Sequence, residues 1–221
     1  MESDVKLIGV TQPNFEETGC RTAEELIAYA ARVSNPSNQS NTETAPKLLA
    51  YLAKNQHWSP FEMVSVVMEI NTTRDIARQI LRHRSFSFQE FSQRYAKATD
   101  LGFVTREARL QDTKNRQNSI ELTDSDEELA LRWLQVQDSV LSMVKTAYAW
   151  ALDSGIAKEQ ARAVLPEGMT KSRMYMSGTL RSWIHFIKVR DDNGVQKETR
   201  NIAVGSRKII TDLFPSIASL L

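Results

Sequence analysis

Apolar positions along the chain change their period several times, and each change predicts an element. Thr22-Ala23-Glu24-Glu25 has the form of a capping box, so a helix is expected from there to about Arg32. The Asn-, Ser- and Thr-rich stretch 34–44 reads as a loop, and Pro46 at a first-turn position opens a second helix to Lys54. Over 63–70 the period falls to two. Val64, Val66, Met68 and Ile70 share one face opposite Ser65 and Glu69, the pattern of a half-buried strand. Thr72 or Thr73 then caps a helix to about Arg84, and 86–95 reads as a loop leading into a short strand.

The second half is more helical. Residues 101–123 are polar and expected to be irregular. Ser125-Asp126-Glu127-Glu128 is a further capping box, and the longest helix follows it with the apolar stripe Leu129, Trp133, Val136, Val140 and Val144, ending near Gly155. A shorter helix over 157–165 stops at Pro166. Two more are expected at about 179–189 and 198–213, separated by the turn signal Asp192-Asn193-Gly194. Many helices with a modest sheet place the chain in the α+β class.

Composition narrows the function. At 221 residues the chain can bury a large core, and a single domain over 1–221 is the expectation. The net charge is +1, below what a general polyanion binder of this size carries, so phosphate recognition must come from a local cluster. The single cysteine, Cys20, excludes an internal disulfide and a CxxC pair, and it reads as an inert thiol. Residues 1–6 are charged and the apolar stretch 7–10 is too short for a signal peptide; no apolar run reaches membrane length. A soluble cytoplasmic protein is expected. Neither GxGxxG nor GxxxxGK[ST] occurs, nor HExxH, and the three histidines lie far apart in sequence, so no metal site is expected.

One segment concentrates chemistry. Arg82-His83-Arg84 and Glu90, Ser92 and Arg94 put three guanidinium forks, an imidazole, a carboxylate and a hydroxyl within thirteen positions. Arginine's planar fork suits two-point contacts with phosphate and uracil-type oxygens. Just before it, Asp75, Arg78, Gln79 and Arg82 share a helical face opposite Ile76, Ala77, Ile80 and Leu81, which would turn Gln79 and Arg82 into one pocket. The plainer reading is that 82–84 only complement the negative end of a helix dipole.

Arg-His-Arg followed after seven residues by Ser-x-Arg resembles the signature of the flavin-dependent thymidylate synthases, and Arg82-His83-Arg84 and Ser92-Gln93-Arg94 carry it at the right spacing. His57-Trp58-Ser59-Pro60-Phe61-Glu62 and Ala161-Arg162-Ala163-Val164-Leu165-Pro166 are similar to two further segments of that family. Arg181, His185 and Arg190 resemble its last active-site helix, and Gln196 to Ala203 its closing helix. Thr179 stands where relatives often have Asn, and Met63 where some have His.

The resemblance implies a twisted, mostly antiparallel sheet flanked by helices and a homotetramer with shared active sites. It implies methylation of dUMP to dTMP, with FAD as cofactor and 5,10-methylenetetrahydrofolate and NADPH as co-substrates. By the same resemblance Ser59, Arg82, His83, Arg84, Glu90, Thr179, Arg181 and His185 contact FAD. Gln79, Arg82, Glu90, Ser92, Gln93, Arg94, Arg162 and Arg190 hold dUMP, and His57 helps position flavin or folate. Arg190 is the catalytic expectation: it ends the stripe Trp183, Ile187, Arg190, so its charge is expected to be partly desolvated against the uracil edge. Ser92 has no evident local base and reads as a binding residue. Two other classes remain open from residues alone. One is a nucleic-acid-binding module using 74–94, with Phe86, Phe88 and Phe91 stacking on bases; the other is a nucleotide hydrolase with Glu62 or Glu90 as base.

Overall fold

The computed structural model describes residues 4–221; Met1–Ser3, part of the charged stretch 1–6, lie outside the described residues. Strand β1 (Asp4–Val10), the short helix α1 (Phe15–Thr18), α2 (Ala23–Ala31) and α3 (Ala45–Lys54) lead into a 3-10 turn at Ser59–Met63 and β2 (Ser65–Thr73). Then come α4 (Arg74–Ile80), β3 (Ser87–Glu90), β4 (Arg109–Gln111), β5 (Ser119–Glu121) and α5 (Glu127–Asp153). The chain closes with α6 (Lys158–Ala161), β6 (Lys171–Thr179), α7 (Leu180–Arg190) and α8 (Lys197–Leu213).

β2 confirms the alternation: Val64, Val66, Met68 and Ile70 are fully buried while Ser65 and Glu69 are half-exposed. Its neighbour β6 adds Met174 and Met176, also fully buried. The main sheet runs β1-β2-β6-β3, every pair antiparallel, with Met68 opposite Met176 and Glu90 opposite Met174. Helix α7 lays Trp183, Phe186 and Ile187 on this sheet, and α8 adds Ile202 and Ile210. Each such side chain gains roughly 1.5–3 kcal/mol from burial. Trp183 also donates its Nε1–H to the Val66 carbonyl at 3.1 Å, so the indole is satisfied inside the core.

The capping box at Thr22 and Glu25 is present in full, and α8 and the turn at 192–194 fall where expected. Several expectations are corrected. Nothing in the sequence reading flags β1 or β6. The helix after Thr73 ends at Ile80, not Arg84, and leaves Leu81 partly exposed. Residues 101–123 hold the β4–β5 hairpin rather than being irregular. The cap before α5 is formed by Thr123 and Asp126, not by Ser125 and Glu128. The helix over 157–165 is α6 followed by a 3-10 turn at Arg162–Val164.

Helix α5 forms as expected, and its packing settles what the period left open. Of its stripe, Leu129, Trp133, Val136 and Val140 stay exposed, together with Met143 and Trp150, while Val144 is half-buried. The face turned inward carries Gln137, Leu141, Tyr148 and Ala151. Gln137 is buried and grips the backbone of Arg106 in both directions, accepting from its N–H and donating to its carbonyl at 2.8 Å each. Arg106 in turn donates to Thr73 and Asp75 at 2.6 and 2.7 Å, which ties α5 to the start of α4. No helix of the described residues is long and apolar enough to cross a membrane.

Candidate active site

Two tight turns, and not a helix face, present Arg82, His83 and Arg84. After α4 the His83 N–H bonds the Ile80 carbonyl at 3.0 Å, and the Phe86 N–H bonds the His83 carbonyl at 3.3 Å. Phe86 then plugs into the core edge-on to Trp183, centroids 4.9 Å apart, and beside Phe186. That plug needs Gly178, since a Cβ there would lie 2.4 Å from the Phe86 ring. Phe86 is therefore core, and it is not available for stacking on bases. Arg82 and Arg84 are exposed, and among the described residues neither has a carboxylate partner. They are the free forks of the segment.

His83 and Arg190 meet where the second turn faces the end of α7. Arg190 donates its Nε–H to His83 Nε2 at 2.8 Å and an Nη2–H to the Gln79 carbonyl at 3.4 Å. Burial, then the charges of Arg190, His185 and Arg82, pushes the His83 imidazole down to about 4. Burial, and then Arg82, lowers the guanidinium of Arg190 from its ordinary value. His83, Arg190 and the backbone of Gln79 thus meet, with Arg82 close enough to act on both groups. The Gln79 amide is itself held, donating to Gln196 at 2.7 Å and accepting from Thr199 at 3.0 Å.

Of the residues expected to contact flavin, Arg181 and His185 lie at a second place. A cavity of about 420 Å³ on the outer side of α7 is lined by Trp58, Glu62, Ser85, Arg181, His185 and Lys188. Arg181 is bonded to Glu62 at 2.5 Å, and Lys188 lies over the Trp58 ring at 5.7 Å. Thr179 is the N-cap of α7, its hydroxyl accepting from the Ser182 N–H at 3.3 Å. Ser59 and His57 are exposed on the approach to β2. A larger cavity of about 760 Å³, between the β4–β5 hairpin and α8, is lined by Arg109, Arg116, Trp133 and, from the closing-helix segment, Gln196 and Arg200.

A third group is more open. Arg94 donates to Glu159 at 3.1 Å, and the Arg162 Nε–H reaches the Glu159 carbonyl at 3.3 Å. Ser92 is exposed at the start of the next turn, while Gln93 is buried. Glu90 is turned towards Arg74 at 3.2 Å and Ser172 at 2.6 Å. With Glu62 and Glu90 both engaged, neither is placed as a free base. Lys188, Glu159 and Thr199 were not singled out beforehand. Lys188 had a readable signal, since Arg181, His185 and Lys188 fall at i, i+4 and i+7 on one helical face; Glu159 and Thr199 had none.

Known proteins resemble the chain over nearly its whole length. The family model described as thymidylate synthase complementing protein matches residues 17–216. A probable flavin-dependent thymidylate synthase of Paramecium bursaria Chlorella virus 1 is 49% identical over 98% of this chain and 97% of its own. A flavin-dependent thymidylate synthase of Synechocystis is 49% identical over 99% of both. A crystal structure of a UMP/dUMP methylase from Streptomyces cacaoi, bound with 5-Br dUMP, has the same fold, with a TM-score of 0.80 at 24% identity over 99% of this chain and 93% of that one. The chain belongs to the thymidylate synthase complementing protein family, the family of the flavin-dependent thymidylate synthases.

Proposed function

We propose that residues 1–221 form one catalytic domain that methylates dUMP at uracil C5 to give dTMP, with FAD bound and with 5,10-methylenetetrahydrofolate and NADPH as co-substrates. It works as a cytoplasmic homotetramer. The observation that carries this reading is Arg190, a partly desolvated guanidinium held between His83 and the Gln79 carbonyl. The names of the relatives support the activity, and the methylase from Streptomyces cacaoi supports the nucleotide.

Each group of residues has a task. Arg190 stabilises negative charge developing on the uracil ring, which makes C5 nucleophilic; such a donor acts most strongly in a water-poor site. Gln79, Arg82 and Glu90 border the ring, and Ser92, Gln93, Arg94 and Arg162 take the phosphate. The residues also fit FAD. Arg82 and Arg84 offer unpaired forks to a diphosphate, and the cavity at Arg181 and His185 accepts part of the dinucleotide; Ser59, His83, Glu90 and Thr179 are the further contacts that the resemblance implies. When bound and reduced, FAD supplies the hydride and the route by which the one-carbon unit reaches the ring. His57, exposed on the approach, orients flavin or folate. Cys20 supplies no nucleophile, because it is only 1% exposed and burial pushes its thiol up.

Assembly follows from α5. Leu129, Trp133, Val136, Val140, Met143 and Trp150 recur at the heptad spacing of a helix–helix seam, on the face turned away from the core. A seam of this length meets a second copy, as symmetric oligomers do.

The test is Arg190→Lys, which keeps the charge but loses the fork. It is expected to bind dUMP normally and slow its methylation in a single turnover by on the order of a hundredfold. An unchanged turnover rate refutes this role.

A further inference from the structure

The hydrogen bond between Arg190 and His83 has a direction set by chemistry. An arginine Nε always carries its proton and only donates, so His83 Nε2 at 2.8 Å is the acceptor. The ring is therefore neutral, with its own proton on Nδ1. The contact from Nη2 to the Gln79 carbonyl is longer, at 3.4 Å, and Nη1 has no acceptor among the described residues. The imidazole is also fixed in place. It lies edge-on to Phe186 with centroids 5.0 Å apart, and its backbone is bonded to Ile80 on one side and Phe86 on the other.

We propose that His83 is a positioning residue for Arg190: it takes up the inner Nε–H, so that the terminal edge of the guanidinium, and not its side, faces the uracil ring. This rests on the role given above to Arg190. The flavin contact implied by resemblance uses His83 itself, whereas the task inferred here acts through another side chain. Its value is pre-organisation, since a fork that is already oriented loses less entropy when charge develops in front of it.

The surroundings preserve the acceptor. The charged and titratable groups facing the imidazole are Arg190 and His185 from α7 and Arg82 from its own turn, and no carboxylate of the described residues acts on it. Burial is the largest influence and opposes protonation as well, so the lone pair on Nε2 persists at physiological pH.

The chain has three histidines, His57, His83 and His185, which makes its imidazole nitrogens resolvable by nitrogen NMR. In the flavin-loaded protein one histidine is expected to be an Nδ1–H tautomer that stays neutral below pH 5, and to vanish in His83→Phe. His83→Phe keeps the ring packing and loses the acceptor. Measured per flavin-loaded enzyme, it is expected to slow single-turnover methylation at least ~10-fold while dUMP affinity stays within ~2-fold. His83→Gln, which restores an acceptor at the same reach, recovers the rate to within ~3-fold, and His83→Phe costs less than ~2-fold more once Arg190 is Lys. The proposal is overturned if His83→Phe loses flavin while each remaining holoenzyme turns over normally, or if His83 titrates near 6.5 as the other tautomer. If the tautomer is as expected but Arg190→Lys turns over normally, the hydrogen bond stands while the role of Arg190 falls, and this inference with it.

Discussion

Arg94 and Arg162 share one residue, Glu159: Arg94 binds its carboxylate at 3.1 Å and Arg162 its backbone carbonyl at 3.3 Å. The pair Arg94–Glu159 is largely exposed, with side chains at 69% and 47%, so it is worth at most about 1 kcal/mol. A phosphate dianion offers Arg94 a stronger partner. Arg94→Ala is therefore expected to weaken dUMP binding by roughly 1.5–3 kcal/mol while leaving deoxyuridine, which lacks the phosphate, almost unaffected. Glu159→Gln removes the competing carboxylate and is expected to tighten dUMP by up to ~5-fold. Calorimetry with both ligands checks this; an equal loss for dUMP and deoxyuridine in Arg94→Ala would take Arg94 away from the phosphate.

Gly178→Ala tests the plug under the Arg82–Arg84 turns. The added Cβ would meet Phe86 at 2.4 Å, and that ring cannot yield because Trp183 and Phe186 enclose it. Overpacking of this kind costs about 1–3 kcal/mol. For a chain of this length that is a fall of roughly 2–12 °C in melting temperature. Adding Phe86→Leu makes room and is expected to return part of the loss; a melting temperature unmoved by Gly178→Ala would show that the ring is free to shift.

Much of this was legible beforehand, and the failures share a cause. Local signals worked: the capping box at Thr22, the alternation at 64–70 and the Asp192 turn each depend on near neighbours. β6 also alternates, with Ser172, Met174 and Met176 inside and Arg173 and Tyr175 outside, but serine and methionine are weak markers of a strand, so only pairing with β2 and β3 reveals it. On α5 the period was right, but most of the stripe faces away from the core. Periodicity shows that a face is apolar, not what covers it, and here the core side is organised by Gln137 and Tyr148. The motif arginines were visible as residue types. The bond from Arg190 to His83 spans 107 positions and no spacing rule reports it.

The seam on α5 gives an assembly prediction. Met143 and Trp150 are 73% and 64% exposed, and a charge on this face cannot enter an apolar interface without a partner. Val136→Glu combined with Val140→Glu is expected to leave the chain folded by circular dichroism and to reduce its mass in light scattering below that of four 25.1 kDa chains. A mass that stays at four chains places the seam elsewhere.

Acid stability follows from His83. Its imidazole falls from 6.5 in the unfolded chain to about 4 in the folded one, so between those values the unfolded chain binds more protons. Stability contributed by this group is complete above pH 6.5 and is lost as pH falls towards 4. Denaturant melts of the wild type at pH 6.5 and 4.5 are expected to differ more than those of His83→Phe. Equal differences would mean that the imidazole protonates freely in the folded state.

The central claim is tested most directly by product formation. Flavin-loaded protein is incubated anaerobically with dUMP, 5,10-methylenetetrahydrofolate and NADPH, and dTMP is measured by chromatography alongside NADPH oxidation. The account predicts dTMP in step with the NADPH consumed, none when FAD is stripped out, and undiminished synthesis in Cys20→Ala. Folded, flavin-loaded protein that oxidises NADPH without making dTMP, or that makes dTMP without flavin, would contradict it.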